Sequence, residues 1–353
     1  NEAYEYFNEA IGYFKARDFK KAVIYYSKAL KVNPKYTKAY YNRGSAKLNF
    51  KDYEGAIRDF EKVLDLDSEF AKAYLYKGYA LMRLDNLKDA SIAFTAAIRI
   101  DPTLSKAYFN RGSVQLKAEN YELAIDDFTK ALDQNPEQAK AYYNRGLCYQ
   151  KLDELAHAVE DFTAMLDIKP SHDASYRARA KAYLKQEKYE EAIADFSSSL
   201  RKKPEDAHSY YYRGYAKLKI DDLNGANKDF GTALEIKPTH KNAMINKAIT
   251  SFQMSNYDEA MKDYTNLIKI DNSNTEYYFN RGITYLKLDA YENAVSDFDK
   301  SIDLDNKFAE AYFNRANAFT KLKKQEKACK DMKKSAKLGY KPANGHINSL
   351  CDS

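Results

Sequence analysis

The chain has 353 residues, of which 44% are hydrophobic and 31% are charged, and its formal net charge is +6 at pH 7. No apolar run approaches the roughly 18 residues of a membrane-spanning helix, so the composition predicts a soluble protein without a membrane span. Three cysteines (Cys148, Cys329 and Cys351) form an odd set without paired spacing, which argues against a disulfide framework or zinc ribbon and favours unpaired, reduced thiols.

Alanine recurs every 34 residues along the chain without an insertion. The alanines are Ala22, Ala56, Ala90, Ala124, Ala158, Ala192, Ala226, Ala260, Ala294 and Ala328. A strict period of this length indicates one structural unit in tandem copies, each packed on its neighbours. We therefore predict a single array of ten repeats over residues 3–342. The repeats are 3–36, 37–70, 71–104, 105–138, 139–172, 173–206, 207–240, 241–274, 275–308 and 309–342.

Residues 105–136 show how one repeat is built. Apolar side chains at helical spacing lie on both sides of a polar break, which predicts two helices joined by a tight turn. Small residues, Gly112 on the first helix and Ala124 on the second, let the helices approach closely, and Phe128 fills the space beside them. Pro136 then ends the second helix because proline lacks the amide that a continuing helix needs. The repeat is therefore predicted to be an antiparallel helical hairpin.

Opposite charges recur at matched positions of the two predicted helices. A basic residue precedes the small residue of the first helix, and an aspartate precedes the large residue of the second. The pairs are Arg43 with Asp59, Arg111 with Asp127, Arg145 with Asp161, Arg179 with Asp195, Arg213 with Asp229, Lys247 with Asp263, Arg281 with Asp297 and Arg315 with Asp331. We interpret them as structural ion pairs, within or between repeats, each worth about 0–1 kcal/mol if exposed. The alternative is that these arginines bind a ligand.

Three more columns recur with the alanines: Gly or Ala at the position of Gly112, an aromatic residue four positions after nine of the ten alanines, and proline at the position of Pro136 in six repeats. Together these columns resemble the tetratricopeptide repeat family over essentially the whole chain. The chain departs from the family in having no tryptophan, whose usual position holds tyrosine in most repeats. The resemblance implies an all-α fold, a right-handed superhelical solenoid of ten antiparallel helical hairpins with a short C-terminal capping helix. It also implies that the first helices line a concave groove that holds extended or helical peptides.

Asparagine dominates the sixth position of the repeat, on the face expected to line that groove. It occurs at Asn8, Asn42, Asn110, Asn144, Asn246, Asn280 and Asn314, and all but Asn8 are our candidate partner-binding residues. A side-chain amide both donates and accepts, so it can match a peptide backbone of any sequence. This resembles the asparagine ladder known in the family. The alternative is that each asparagine bonds to the neighbouring repeat.

Two further columns complete the candidate site. The second position holds Lys38, Lys72, Lys106 and Lys140 in repeats two to five, and later Glu276 and Glu310. The groove is therefore expected to run from basic to acidic, unless these residues are merely solvated helix starts. The fifth position supplies Tyr41, Phe109 and Tyr143 as candidate aromatic anchors. Packing between repeats is the alternative role for these rings.

The end of the chain is strongly basic. Nine lysines against Glu326 and Asp331 give residues 321–341 a net charge of +7, so the rest of the chain carries about −1. This cluster, Lys321–Lys341, is a candidate contact for an acidic partner or an anionic surface, the alternative being a solubilising cap. Leu338 and Gly339 indicate a helix stop, and residues 343–353 are predicted to form the C-terminal cap.

No catalytic arrangement is visible in the sequence. The five histidines show no metal-ligand spacing and are interpreted as solvated, and no glycine-rich phosphate loop occurs. We therefore predict that the chain is not an enzyme and carries no cofactor and no metal.

The predicted function is a non-catalytic protein–protein interaction scaffold, or adaptor, that binds an extended peptide segment of a protein partner in its concave groove. The alternatives are binding of nucleic acid or an anionic surface by the lysine-rich last helix, or a role as the substrate-recognition arm of a larger enzyme. Nucleic acid is disfavoured because the basic cluster lies at one end of the array. Unpaired cysteines and no visible signal favour the cytoplasm, although the start at Asn1 instead of Met fits removal of an upstream signal or domain.

Overall fold

The structure is a computed structural model that describes residues 2–351, apart from the side chains of residues 348 and 349. All the regular secondary structure in this range is helical, which confirms the predicted all-α class. The helices are α1 (Glu2–Lys15), α2 (Phe19–Val32), α3 (Thr37–Asn49), α4 (Tyr53–Leu66), α5 (Ala71–Arg83), α6 (Leu87–Ile100), α7 (Ser105–Lys117), α8 (Tyr121–Gln134), α9 (Ala139–Lys151), α10 (Leu155–Ile168), α11 (Asp173–Lys185), α12 (Tyr189–Lys202), α13 (Ala207–Lys219), α14 (Leu223–Ile236), α15 (Lys241–Gln253), α16 (Tyr257–Ile270), α17 (Thr275–Lys287), α18 (Tyr291–Leu304), α19 (Ala309–Lys321), α20 (Gln325–Lys337), α21 (Lys341–Asn344) and α22 (Ile347–Cys351). Within the described range, none of these helices is both long and apolar enough to cross a membrane. The handedness of the superhelix and the exact repeat count stay predictions.

The chain divides into two compact units, the first ending at Ala182 and the second beginning at Tyr183. In the first unit, α1 to α10 form helical hairpins in which each helix packs on the next one along the chain, and α3, α5, α7 and α9 also contact one another in sequence. In the second unit, α12 to α20 pack on their neighbours in the same way. Helices α3, α5, α7 and α9 therefore form one continuous surface.

A left-handed residue turns the chain between the two helices of each hairpin. Lys51, between α3 and α4, has φ of 67°, and the next residue, Asp52, caps α4 by accepting from the Gly55 amide at 3.0 Å. The same position is left-handed in every hairpin, although none of these residues is glycine. They are Arg17, Lys51, Asp85, Glu119, Asp153, Glu187, Asp221, Ser255, Asp289 and Lys323.

Replacing Lys51 by glycine is expected to raise the free energy of unfolding by up to about 1 kcal/mol, because glycine adopts this backbone conformation without the clash of a Cβ atom. Thermal and guanidinium unfolding measure the change. As a matched control, Lys130→Gly within α8 should lower the stability by about 1 kcal/mol, since Lys130 is exposed on a helix where glycine is unfavourable. A loss of stability in both variants would contradict the proposed strain at Lys51.

Small residues and large ones meet where the helices of a hairpin cross. All ten alanines of the 34-residue column are fully buried. Gly146 on α9 lies against Phe162 on α10, and a Cβ atom added to Gly146 would stand only 2.8 Å from the Phe162 ring. This confirms the predicted crossing, in which a missing side chain on one helix makes room for a ring on the other.

Ion pairs form at predicted positions, and six of them join three helices instead of two. Arg145 on α9 donates through Nε and Nη2 to both carboxylate oxygens of Asp161 on α10, at 2.8 and 2.7 Å. Its Nη1 donates to the Thr129 hydroxyl on α8, at 2.9 Å. We call this three-residue arrangement a clamp. Because α8 belongs to the preceding hairpin, the clamp acts both within a hairpin and between hairpins.

The clamp is repeated in both units with a hydroxyl or carboxylate as its third member. The other examples are Ser27–Arg43–Asp59, Thr95–Arg111–Asp127, Ser197–Arg213–Asp229, Thr265–Arg281–Asp297 and Asp299–Arg315–Asp331. The aspartates that pair with the arginines from the second helix of each hairpin are almost fully buried, with Asp161 only 4% exposed. The energy expected for exposed ion pairs therefore does not apply to them.

Two short helices cover the last hairpin. Ile347 and Leu350 pack with the buried core of Ala316 and Met332, as expected for a cap. Cys329 on α20 and Cys351 on α22 form a disulfide, with 5.1 Å between their Cα atoms. The prediction of unpaired, reduced cysteines was therefore wrong for this pair, because the contact arises only when α22 folds back onto α20.

The third cysteine, Cys148, is free and buried, and burial raises the pKa of its thiol to about 12. A thiol this hard to ionise is a poor nucleophile. Two of the three cysteines are paired, so unpaired cysteines no longer support the expectation of a cytoplasmic protein.

Candidate partner-binding groove

An open cavity of about 690 Å³ lies on the surface that α3, α5, α7 and α9 share. Its lining comes from α1, α3, α5 and α7, together with Gln138 just before α9. We call this surface the groove. Its lining includes five residues that were predicted to bind a partner, and the structure brings these five together: Tyr41, Asn42, Lys106, Phe109 and Asn110.

The candidate asparagines are all half-buried, but their amides differ in what they bond to. Asn42 hydrogen-bonds the Tyr26 hydroxyl of the preceding hairpin, although burial still raises the pKa of Tyr26 to about 12. Asn246 similarly bonds Tyr211, and the Asn314 amide donates to the Glu310 carbonyl at 2.9 Å. Asn42 and Asn246 therefore bond to the preceding hairpin, as the alternative interpretation expected, whereas Asn314 bonds to its own helix.

Asn110, Asn144 and Asn280 form the second class. Among the residues that the structure describes, the side chains of these three have no hydrogen-bond partner. Asn110 lines the cavity itself, and Asn144 occupies the equivalent position one hairpin later, on α9. Their donors and acceptors are available to a bound chain.

Helices α3, α5, α7 and α9 each carry a lysine of the second-position column in their first turn. Lys38, Lys72, Lys106 and Lys140 are all exposed, and within the described range none of them pairs with a carboxylate. Lys72 and Lys106 line a second cavity of about 450 Å³ that shares Tyr41 and Tyr76 with the first. This part of the groove is open and positively charged.

The charges of the Asp101 carboxylate and Lys72 interact, but the hydrogen bonds of this carboxylate are formed with another residue. It accepts hydrogen bonds from the amide and hydroxyl of Thr103, at 3.0 and 2.6 Å. These bonds, more than the lysine, lower the pKa of Asp101. The Lys72 ammonium group therefore remains available to an external anion.

The predicted aromatic anchors are half-buried and pack within the stack of hairpins. Tyr41 contacts Phe70 at a centroid distance of 5.1 Å, and Phe109 contacts Phe128 at 5.8 Å. Both also line the cavity, and burial raises the pKa of Tyr41 to about 12, so its hydroxyl stays protonated at neutral pH. Tyr143 packs edge-on against His172 at 5.0 Å and lines neither cavity.

The groove also contains Tyr76, Tyr79 and Gln138, which were not predicted from the sequence. Tyr76 occupies the asparagine position of its hairpin and stacks on Phe60 at 6.2 Å with 25° between the rings. The sequence signal for Tyr76 was that it interrupts the asparagine column. That interruption indicates that one place in the groove is apolar.

The interpretation of the histidines as solvated was wrong for His240. It is 8% exposed, its Nδ1 accepts from the Ala243 amide at 3.3 Å, and its ring lies 4.9 Å from Tyr211. Burial lowers the pKa of His240. The residue before a first helix packs on an aromatic ring of the preceding hairpin, so a histidine there becomes buried.

Models of known families match most of the chain. Tetratricopeptide repeat models match residues 7–68, 44–105, 105–138, 139–172, 177–240, 275–308 and 309–338, and a TPR repeat model matches 250–289. No curated protein sequence matches the chain.

Solved structures share the fold at low sequence identity. The C-terminal part of a TPR repeat-containing protein from Cytophaga hutchinsonii has a TM-score of 0.58 and 22% identity, covering 68% of this chain and 98% of that one. YrrB, described as a TPR protein with an unusual peptide-binding site, has a TM-score of 0.51 and 22% identity, with coverage of 53% and 97%. PilF of Pseudomonas aeruginosa has a TM-score of 0.51 and 19% identity, with coverage of 60% and 96%. At these identities the likeness concerns the fold.

Proposed function

We propose that this chain, which belongs to the tetratricopeptide repeat family, binds an extended segment of a partner protein in the groove of its first unit. Tetratricopeptide repeat proteins are protein-interaction scaffolds and are typically non-catalytic. YrrB, which shares the fold, is described as having a peptide-binding site. The chain itself would act as a scaffold without performing chemistry.

One observation carries this proposal. The cavity runs over four successive first helices, α1, α3, α5 and α7, and the Asn110 amide within it has no hydrogen-bond partner among the described residues. An extended chain carries an amide donor and a carbonyl acceptor at almost every residue. Amides placed one per hairpin on a common surface, as Asn110 and Asn144 are, can hold such a chain without reading its side chains.

Replacing both Asn110 and Asn144 by alanine is expected to weaken peptide binding, since each lost hydrogen bond contributes about 0.5–1.5 kcal/mol. The helices should keep their stability, because the two amides bond to nothing within the described chain and alanine favours a helix. Peptides selected from a random displayed library on the wild-type protein, then titrated against both proteins, measure the effect. Melting curves are recorded alongside.

The matched control is Asn42→Ala, which removes a bond to Tyr26 inside the protein and should lower the melting temperature. If the double variant binds the selected peptides as tightly as the wild type, these asparagines do not hold the partner. If it melts earlier and loses affinity only through unfolding, they have a structural role.

The lysine-rich end supports a second candidate function, binding of an anionic partner. All nine lysines between Lys321 and Lys341 are exposed, and within the described range none pairs with a carboxylate. Lys327 and Lys334 lie over the rings of Phe319 and Tyr312, at 5.7 and 5.9 Å. The other seven lysines are exposed as well, and this concentration of positive charge attracts a polyanion.

Four lysine-to-glutamine changes should weaken retention on a heparin column at low salt, because each removes a charge that displaces counterions. The changes are at Lys323, Lys330, Lys333 and Lys337. The control variant has the same net charge and replaces four exposed lysines of the first unit by glutamine, namely Lys20, Lys51, Lys88 and Lys130. Equal elution of the two variants would show that only net charge matters and would reject this surface.

A further inference from the structure

We propose that the groove of the first unit selects acidic segments that carry a large apolar side chain, with Tyr76 contacting that side chain and with Lys72 and Lys106 contacting a neighbouring carboxylate. This inference rests on the proposed function and names the chemistry of the partner.

The groove is locally apolar at Tyr76. The asparagine column is interrupted here, between Asn42 and Asn110, and Tyr76 faces the cavity together with Tyr41 and Tyr79. Leu75 and Phe109 complete an apolar lining. A bound chain held by the Asn110 amide would place one side chain over these rings, and an aliphatic or aromatic one would bury apolar surface there.

A positively charged cavity adjoins the apolar one. The two cavities share Tyr41, Leu75, Tyr76, Lys106 and Gln138, and the second adds Lys72. Neither lysine pairs with a carboxylate within the described chain, and Asp101 is engaged by Thr103. A segment lying across both cavities would therefore meet an apolar surface and two free ammonium groups within one continuous site. Acidic side chains next to an apolar one complement this pattern.

The alternative role of Tyr76 is to stabilise the fold by packing on its neighbours. It stacks on Phe60, and Tyr212 of the second unit stacks on Phe196 in the same way, at 6.0 Å with 10° between the rings. Both tyrosines occupy the asparagine position of their hairpins. Tyr212→Asn is therefore a matched control for the packing that Tyr76→Asn removes.

The test is selection of a random displayed peptide library on the full chain, repeated with Tyr76→Asn, with Tyr212→Asn and with the double variant Lys72→Gln/Lys106→Gln. We expect the wild type to enrich peptides that combine Asp or Glu with Phe, Tyr, Leu or Ile. Tyr76→Asn should keep the acidic preference and lose the apolar one, and should bind a peptide selected on the wild type at least about tenfold more weakly. The lysine variant should keep the apolar preference and lose the acidic one, together with most of the salt dependence of binding. Tyr212→Asn should select as the wild type does.

Each other outcome overturns the inference. Wild-type peptides without a joint acidic and apolar preference would reject the assigned partner chemistry. Equal changes in Tyr76→Asn and Tyr212→Asn would show that Tyr76 acts through packing. Failure of the proposed function has a different signature, because peptides would then bind without any dependence on Asn110 and Asn144. Peptides that need those asparagines but show no acidic preference would leave the groove intact as a site and reject the chemistry assigned here.

Discussion

Replacing Arg145 by methionine is expected to lower the free energy of unfolding of the first unit by about 3–5 kcal/mol, because it leaves a buried carboxylate without its partner. Asp161 is 4% exposed, and both its oxygens accept from Arg145. The Thr129 hydroxyl of the preceding hairpin loses its contact as well. Guanidinium unfolding and hydrogen exchange of the α9 and α10 amides measure the loss, which should be largest in these helices.

The pH dependence of this variant should identify the cause. Burial raises the pKa of the Asp161 carboxyl above its ordinary 3.8, and in the wild type the hydrogen bonds and charge of Arg145 oppose that rise. Without the arginine the folded-state pKa should rise further. A raised pKa favours the folded state when the group is protonated, so the deficit should be smallest below 3.8 and should grow as the pH increases through the raised folded-state value.

An exposed arginine provides the control. Arg99 has a side chain that is 70% exposed and lies 3.9 Å from the Glu69 carboxylate, so Arg99→Met should change the stability by less than about 1 kcal/mol. If Arg145→Met were as mild, or if its deficit did not shrink in acid, the clamp would not be a buried charge pair with the energetic role assigned to it.

The sequence predicted the partners of the clamp but not its energy. Arginine and aspartate columns with a constant offset indicate that Arg145 and Asp161 meet. How deeply a carboxylate is buried, however, depends on the ring and the helix packed over it. The hydroxyl of Thr129 was not foreseen, because it belongs to the preceding hairpin and completes the arrangement only when the hairpins stack.

The groove, too, was predicted from the sequence only in part. The positions of Lys106, Phe109 and Asn110 follow from the helical period, and the structure places all three in one cavity. The role of Tyr76 depends on the space that neighbouring side chains leave open, and a periodic sequence pattern does not show that space. The disulfide between Cys329 and Cys351 lay beyond prediction for a related reason, since a contact between α20 and a five-residue helix has no periodic signal.

Truncating Phe162 to alanine is expected to cost about 3–5 kcal/mol, the other large effect that the structure indicates. The ring is fully buried at the crossing of α9 and α10, where Gly146 provides the space for it. Its removal would leave a cavity that the backbones of two packed helices can close only in part. The measurements are those used for Arg145→Met, and the loss should be independent of pH because no titratable group changes.

A double-mutant cycle tests whether the glycine and the ring depend on each other, and the last hairpin supplies its design. There the small residue is Ala316 and the large one is Met332, and both are buried. Gly146→Ala alone should destabilise, because the new Cβ atom would stand 2.8 Å from the Phe162 ring. Phe162→Met alone should also destabilise, since methionine fills less of the space. Combined, the two changes copy the Ala316 and Met332 pair, so the double variant should lose less stability than the sum of the single losses. Additive losses would mean that the two columns are filled independently, and that the alternation of small and large residues reflects helix preferences instead of a shared crossing.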